Sequence, residues 1–529
     1  MGYLLHHAVD EWADRTPDVD VFRFEGSALT YDELRRRTDA LAAMLIELGV
    51  RPSDRVGIYM GKSLDLPVAI YGILKAGGVY VPIDPNSPVS RVGSIIDDCG
   101  IRILITDGAR AKRVCTLLES PELAAVIGPL RPAEFSGASG ISWITWGEIG
   151  PVDEAPPVVA LTENDLAYLM YTSGSTGAPK GLMHTHRSGL AYVTLSAEVY
   201  GVGPGCRLGN HSPLHFDMST FEYLTGPNRG ATTVIIPEEV TLFPASLGEL
   251  IGSEGLTHWY SVPLALIQLV ERGCLEEGYG STLRWVLFGG EPFPPKYLRQ
   301  LMERWPDATF SNSYGPAEVN QCSFHHIPPG TAVPDEPVPL GRIWPGAEAM
   351  VVDGRGEEVE PGDVGELLVR APTMMRGYWG RPELSEEAIL GVEIFPGFRK
   401  LYYRTGDLVS FRPDGLLTFR GRKDRQVKVR GHRVELDEVE AVCHAIESVV
   451  EAAALPMRDD DGAVEVIVVA QVREGSGADP TSLRREFFSF LPAYAVPGVV
   501  HVRSGFPRTG SGKIDRRALL AEYQGEKNS

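Results

Sequence analysis

The sequence predicts an α/β protein with a large N-terminal domain of layered α/β subdomains, part of it β-rich, and a small, mobile C-terminal α+β domain. Three observations carry this reading. Short, continuously apolar strands alternate with helices through the first half of the chain, the pattern of parallel sheets covered on both faces. From Gly341 to Arg420 the pattern changes to short strands separated by turns such as Asp353-Gly354, Pro361-Gly362 and Pro413-Asp414-Gly415. A charged segment, Gly421 to Glu440, then opens a last piece with its own helix and strand alternation. At 529 residues the chain exceeds what one hydrophobic core supports. The expected division is 1–421, with 341–421 its β-rich part, and 422–529.

The elements follow in order. Leu29 to Leu48 has helical apolar spacing, with Thr30 placed to cap it, Glu33 three residues on, and Gly49 to stop it. Arg55 to Tyr59 is a strand, Leu64 to Leu74 a helix, and GGVYVPIDP a strand ending at Pro82 and Pro85. A helix over Ser87 to Asp98 leads to the strand Ile101 to Thr106. Pro129 to Ala160, rich in Pro, Gly and Ser, is expected to be surface connection. Beyond a glycine-rich segment come a helix over Ser188 to Ala197, strand Thr232 to Ile236, helix Pro244 to Ser253, strand His258 to Ser261, helix Pro263 to Glu271 and strand Trp285 to Phe288. In the last piece, Glu435 to His444 and Ser482 to Phe490 read as helices, and Val449 to Leu455 and Val464 to Val472 as strands.

Composition narrows the function classes. Asp and Glu number 70 against 50 Lys and Arg, a formal net charge of -20, which argues against phosphate-driven nucleic-acid binding. The apolar stretches are broken by Gly and Pro, so no membrane span is expected, and the N-terminus has no signal-peptide pattern. Cysteines at 99, 115, 206, 274, 322 and 443 form no CxxC or Cys/His cluster. A thiolate metal site or disulfide scaffold is therefore not expected, and a reducing cytoplasm fits.

The segment Tyr171 to Gly181, YTSGSTGAPKG, points to chemistry. Thr172, Ser173, Gly174, Ser175, Thr176, Gly177 and Lys180 combine little bulk, several hydroxyls and one cation, so backbone N–H groups can close around an anion. The order matches neither the ordinary P-loop nor G-x-G-x-x-G. A flexible surface loop is the plain alternative.

This segment resembles the phosphate loop of the adenylate-forming superfamily, which includes acyl- and aryl-CoA synthetases, luciferases and nonribosomal peptide synthetase adenylation domains. Further segments match in family order: LKAGGVYVPIDP at Leu74, NSYGPAE at Asn312, YRTGDL at Tyr403, GRKDRQVKVRGHRVE at Gly421 and GSGKIDRRAL at Gly510. The resemblance implies ATP and Mg2+ as partners in the reaction and a role for each match. Tyr314 would stack on adenine above the turn of Gly315 and Pro316. Glu318 would hold Mg2+ or its water. Asp407 would accept the ribose hydroxyls, with Arg422 beside the same sugar. Lys513 would neutralise charge at the carboxylate and α-phosphate, and Lys180 and Thr172 would act with it on the phosphates. Asp424 would be the hinge, with Gln426 to Val429 and Gly431 lining the thiol channel after it turns. Ala317 departs from the peptide-synthetase pattern, where Thr is usual.

The implied reaction is attack of a carboxylate on the α-phosphorus of MgATP, then transfer of the acyl group to a thiol. A carboxylate is already ionised at neutral pH, so no general base is needed. In PLHFDMSTFE, Pro213 to Glu222, Asp217 sits among apolar residues where a lone carboxylate is costly. In amino-acid-activating relatives of this superfamily that Asp holds the ammonium; the alternative is a cap on a helix starting at Ser219 or Thr220. The resemblance lines the acid's side chain with Asp217, Met218, Phe221, Tyr260, Leu287, Gly289, Ser313, Gln321 and Cys322, with depth from Gly226 and Gly289. This mostly apolar set favours an amino acid with an apolar side chain. Stand-alone relatives that load β-amino acids for polyketide and antibiotic biosynthesis are slightly preferred to α-amino-acid enzymes. No carrier-like segment is seen after the last motif, so the expected acceptor is a separate acyl or peptidyl carrier protein with a phosphopantetheine arm. Free coenzyme A is the main alternative, and a non-catalytic binding protein a further one. His184, His186, His211 and His215 match no metal-site spacing.

Overall fold

The apolar strands assemble, in a computed structural model, into two large sheets with parallel centres. The structure describes all residues except 1, 118–121, 134, 136–139, 153–154, 175–178, 274, 276–277, 460–462, 474, 510–513 and 528–529. The first sheet has nine strands, in the spatial order Arg342–Ile343, Ser323–Ile327, Thr309–Tyr314, Trp285–Gly289, His258–Ser261, Arg207–Asn210, Thr232–Ile235, Asp20–Phe24 and Ser27–Thr30. Its middle is parallel, and antiparallel strands close both edges. The second has seven, in the order Ser142–Thr145, Ala125–Gly128, Ile103–Thr106, Arg55–Tyr59, Val79–Pro82, Leu166–Thr172 and Lys180–Thr185. Val79–Pro82, Ile103–Thr106 and Ala125–Gly128 are buried along their whole length, as strands covered on both faces must be.

Local chemistry explains the element ends. Thr30 Oγ1 accepts the Glu33 N–H at 3.2 Å and Glu33 accepts the Thr30 N–H at 2.9 Å, a reciprocal cap that starts the helix Tyr31–Glu47. The residues before it, Ser27–Thr30, pair instead as an edge strand. Helices Pro244–Ser253 and Pro263–Glu271 carry proline in their first turn, where a missing N–H costs nothing. The stretch expected as connection contains the edge strand Ser142–Thr145, too short and too exposed to carry a sequence pattern.

The segment after Asp217 departs from the expected helix. A 3-10 turn, Asp217–Ser219, is followed by a π turn, Phe221–Thr225, and one α turn, Gly226–Asn228. Pro227 has no N–H to give the carbonyl of Tyr223, which accepts the Tyr71 hydroxyl at 2.7 Å instead. A side chain on Gly226 would meet Thr233 Oγ1 at 2.7 Å, so this glycine serves helix-to-strand packing and adds no depth to an acid pocket.

The β-rich part orders its strands Glu348–Val352, Gly365–Arg370, Phe398–Phe411 and Ile389–Phe395, with Leu417–Arg422 also on Phe398–Phe411. The chain divides into two compact units, Met1–Pro85, Ile95–Tyr171 and Gly181–Lys423 against Asn86–Ser94, Thr172–Lys180 and Asp424–Ser529. The smaller unit contains the three-stranded sheet Val449–Arg458, Val464–Val472 and Val499–Arg503, its core built from residues such as Val434, Val439, Val468 and Phe487. It also holds the hairpin Gln426–Val429 to His432–Glu435, whose two turn residues, Arg430 and Gly431, both have positive φ. This is the large α/β domain with a small α+β domain that the sequence predicts. Among the described residues no helix is long and apolar enough to cross a membrane.

Candidate active site

In the larger unit the segment 312–322 leaves the strand Thr309–Tyr314 and turns back on itself, with the Cys322 N–H bonded to the Tyr314 carbonyl at 2.9 Å. A Cβ on Gly315 would lie 2.3 Å from the Asn320 carbonyl oxygen, so only glycine allows the return. Asn320 takes the left-handed conformation, φ 58°, and its amide donates to Thr220 Oγ1 at 3.0 Å. His184 is buried, stacked on Tyr168 at 4.8 Å, and burial lowers its pKa to about 4. The neutral ring lies 3.2 Å from the Ala317 carbonyl and steadies the loop. His186 is likewise engaged in structure, accepting the Leu5 N–H at 3.2 Å.

Glu318, fully buried on this loop, accepts the Tyr378 hydroxyl at 3.0 Å. On the strand Phe398–Phe411, Asp407 pairs across to Arg422 on Leu417–Arg422. Its carboxylate accepts Arg422 Nη1 at 2.5 Å and the Tyr314 hydroxyl at 2.5 Å. The Asp407 backbone N–H is held by Thr405 Oγ1 at 3.0 Å. Tyr314, Asp407 and Arg422 are thus one connected group, although 93 and 108 residues separate the first from the other two.

A neutral, aromatic group lies on the other side of the Tyr314 strand. Met218, Phe221, Tyr260 and Leu287 share one apolar cluster with Tyr192, Tyr200 and Trp344. Phe221 meets Tyr260 edge to face at 6.0 Å and Tyr200 at 5.8 Å. A Cβ on Gly289 would lie 2.4 Å from the Ser313 carbonyl oxygen and 3.3 Å from the Tyr260 hydroxyl, which puts that glycine beside both. Asp217 accepts the N–H of Met218 at 2.9 Å and does not cap a helix; the cap position is Phe216, without a side-chain bond. Burial first, and then the charge of Asp217, raises the phenols of Tyr168 and Tyr260.

Around this group one predicted residue is placed differently and one residue is added. Cys322 lies in another cluster, with Leu182, Val319 and Val369, its thiol behind the Tyr314 carbonyl. Tyr200, at the end of the helix His186–Tyr200, joins Ser313 and Gln321 by its hydroxyl, at 2.8 and 2.7 Å. Sequence reasoning missed Tyr200. The only trace of it was helical spacing, since Tyr192, Ser196 and Tyr200 share one buried face.

Behind this group lies a buried charge cluster. Lys62 donates to the carbonyls of Asn210, His211 and Ile236 at 3.0, 2.7 and 3.1 Å, and burial lowers its pKa to about 7. Glu222 is buried beside Asn210, 3.3 Å from its amide, and burial raises its carboxyl to about 8. The Lys62 contacts pin the ends of strands Arg207–Asn210 and Thr232–Ile235, and the Asp217 turn lies on the connection between these two strands.

In the smaller unit, Thr172 Oγ1 is buried and has no partner among the described residues. An orphaned hydroxyl donor there fits an anionic ligand such as a phosphate. Ser173 Oγ donates to the Arg433 carbonyl at 3.1 Å. Gly174 follows, and Lys180 opens the strand Lys180–Thr185. Ser175, Thr176, Gly177 and Lys513 lie outside the described residues. Asp424 accepts the Gln426 N–H at 3.2 Å, directly after the division between the units. Just before it, Lys423 is anchored to the Gly406 carbonyl at 2.8 Å and to Glu366 at 3.1 Å.

Among the described residues no group of three or more His, Cys, Asp or Glu could hold a metal by itself. The single buried carboxylate of Glu318, bonded to the Tyr378 hydroxyl, nonetheless fits Mg2+, which takes one or two carboxylates and completes its octahedron with phosphate oxygens and water.

A family model described as AMP-binding enzyme matches residues 9–379, and one described as AMP-binding enzyme C-terminal domain matches 438–513. The chain is 35% identical to an L-proline–(L-prolyl-carrier protein) ligase of Pseudomonas fluorescens, over 99% of this chain and all of that one. A ligase of the same description from Streptomyces coelicolor is 38% identical, over 94% of this chain and 92% of its own length. Among solved structures, the amide bond synthetase McbA from Marinactinospora thermotolerans superposes with a TM-score of 0.86 at 26% identity, covering 99% and 100% of the two chains.

Proposed function

The chain belongs to the AMP-binding enzyme family, and from that premise we propose that it activates an α-amino acid with a compact side chain and loads it onto a carrier protein. The general reaction is ATP-dependent formation of an aminoacyl-AMP and transfer to the phosphopantetheine thiol of a carrier, by an AMP-forming ligase that uses ATP and Mg2+. The α position is preferred to the β position expected from sequence because both proline-loading relatives act on an α-amino acid.

The observation that carries the amino-acid reading is Asp217, a carboxylate bonded to the N–H of Met218, whose side chain belongs to the aromatic cluster of Phe221, Tyr260 and Tyr200. An ammonium group is the ligand whose charge complements a carboxylate at such a position. The acid's side chain would enter among Phe221, Tyr260, Leu287, Ser313 and Gln321, with Gly289 leaving room beside Ser313. On the nucleotide side, Tyr314 offers its ring to adenine, and Asp407, already aligned by Arg422, offers oxygens to the ribose hydroxyls. Glu318 would hold Mg2+, which supplies charge neutralisation at the α-phosphate. Thr172, Ser173, Gly174, Ser175, Thr176, Gly177 and Lys180 would hold the outgoing phosphates, and Lys513 the carboxylate oxygens during attack. The small domain would then turn at Asp424 to admit the thiol.

ATP–pyrophosphate exchange over a panel of α-amino, β-amino, fatty and aryl acids tests this. Exchange with compact α-amino acids, lost in Asp217→Ala with a cost of about 2 to 5 kcal/mol in kcat/KM, supports it. Exchange confined to acids without an amine sinks the reading of Asp217. Release of free acyl-CoA in place of acyl-carrier favours a coenzyme A ligase.

A further inference from the structure

One buried polar group that the reaction leaves unexplained is the side-chain amide of Gln321. It is 2% exposed and belongs to the neutral pocket proposed for the acid's side chain. Nε2 donates to the Tyr200 hydroxyl at 2.7 Å, and that hydroxyl is shared with Ser313 Oγ at 2.8 Å. Tyr200 is held edge to face against Phe221 at 5.8 Å and Trp285 at 5.6 Å, so it cannot swing away to release the amide. The far end, Oε1, is buried and has no partner among the described residues. A buried carbonyl left unpaired is costly, and a hydrocarbon pocket would have cost less with Leu or Met at this position.

We propose that the acid's side chain carries a hydroxyl that pairs with Gln321, so that the enzyme selects a hydroxyl-bearing α-amino acid over its hydrocarbon isostere. The proposal rests on the α-amino-acid reading above and deepens it. A hydroxyl fits better than other polar groups for two reasons. It both donates and accepts, so it satisfies the amide in either of its two orientations, which occupy the same space. It is also neutral, and a charged side chain would enter a pocket of Phe221, Tyr260, Leu287 and Tyr200 with no counter-charge among the described residues of that cluster beyond the Asp217 that the ammonium takes. Sites that hydrogen-bond a substrate hydroxyl reject the analogue lacking it far more strongly than apolar sites discriminate by size.

The test is ATP–pyrophosphate exchange by the whole chain on isosteric pairs: 4-hydroxyproline against 4-methylproline, and threonine against valine. Whichever pair fits in size, the hydroxylated member is expected to lead by at least about tenfold in kcat/KM. Gln321→Met, near in volume, should bring the pair within a few-fold or invert it, and Tyr200→Phe, which frees the amide, should weaken the preference. Equal or better exchange of the hydrocarbon member by the wild type overturns the proposal without touching the α-amino-acid reading. So does a hydroxyl preference that survives Gln321→Met in protein with wild-type thermal unfolding. The wild-type ranking decides the matter even if both variants fail to fold. No exchange with any amino acid overturns the parent reading, and this inference with it.

Discussion

The two sides of the strand ending at Tyr314 are built on opposite principles. On one side Tyr314, Asp407 and Arg422 form a paired, charged group, and Glu318 is a buried carboxylate held by Tyr378. On the other, Phe221, Tyr260, Leu287 and Tyr200 form a neutral aromatic wall with one polar chain, Ser313 to Tyr200 to Gln321, and one charge, Asp217, at its edge. Charged groups that satisfy each other are already aligned before a ligand arrives, so they suit a nucleotide that every turnover uses. A neutral pocket discriminates by shape and by a few polar atoms, and thus suits the variable partner. Changes on the first side should slow all substrates alike, and changes on the second should re-rank them.

The comparison is tested most severely at Lys513, which would serve both sides. Lys513→Ala is expected to lower adenylation by about 100- to 1,000-fold while leaving transfer from preformed aminoacyl-AMP largely intact. Equal loss in both half-reactions, measured separately, breaks the division of labour. Asp407→Asn comes next. It leaves Arg422 without its counter-charge and should cost about 2 kcal/mol or more in kcat/KM for ATP, with the ranking of amino acids unchanged. A re-ranking would mean that the two sides are not independent.

The smallest effect concerns Glu222, behind the neutral side. Burial raises its carboxyl from the ordinary 4.5 to about 8. Between these values the unfolded chain releases its proton while the folded protein keeps it. Its stability contribution is therefore full below pH 4.5 and is lost as the pH rises toward 8, by at most about 1.4 kcal/mol per unit. The neighbouring Lys62, depressed to about 7, acts in the opposite sense at higher pH, since stability is recovered as it deprotonates in the folded protein first. Glu222→Gln should flatten the denaturation midpoint between pH 5 and 7 relative to the wild type. Parallel curves would show that the carboxyl is ionised when folded.

Much of the fold was legible in the sequence where one local rule acted alone. Apolar runs bounded by turn residues set the strands Arg55–Tyr59, His258–Ser261 and Val464–Val472 and the helices Pro244–Ser253 and Pro263–Glu271. Legibility failed where a distant partner intervened. The π turn after Asp217 exists because Tyr71, more than 150 residues away, takes the carbonyl that Pro227 cannot serve. Gly226, which looks like free depth in the sequence, is packed against Thr233. Cys322 adjoins Gln321 in the chain but packs in another cluster, where its thiol meets the Tyr314 carbonyl across the turn.

By itself the sequence determined the chemistry on offer: a loop of small and hydroxyl-bearing residues with one lysine, a carboxylate among apolar residues, and the motifs of the AMP-binding enzyme family. Those are properties of residue type and short spacing, which survive without knowing where the chain goes. Only the tertiary structure decided which side chains share a wall. It joined Tyr314 to Asp407 and Arg422, and it placed Tyr200 across Ser313 and Gln321. Hydrogen bonds between residues about 90 to 120 positions apart leave no periodic trace, because they are set by how strands and helices stack and not by local backbone preference.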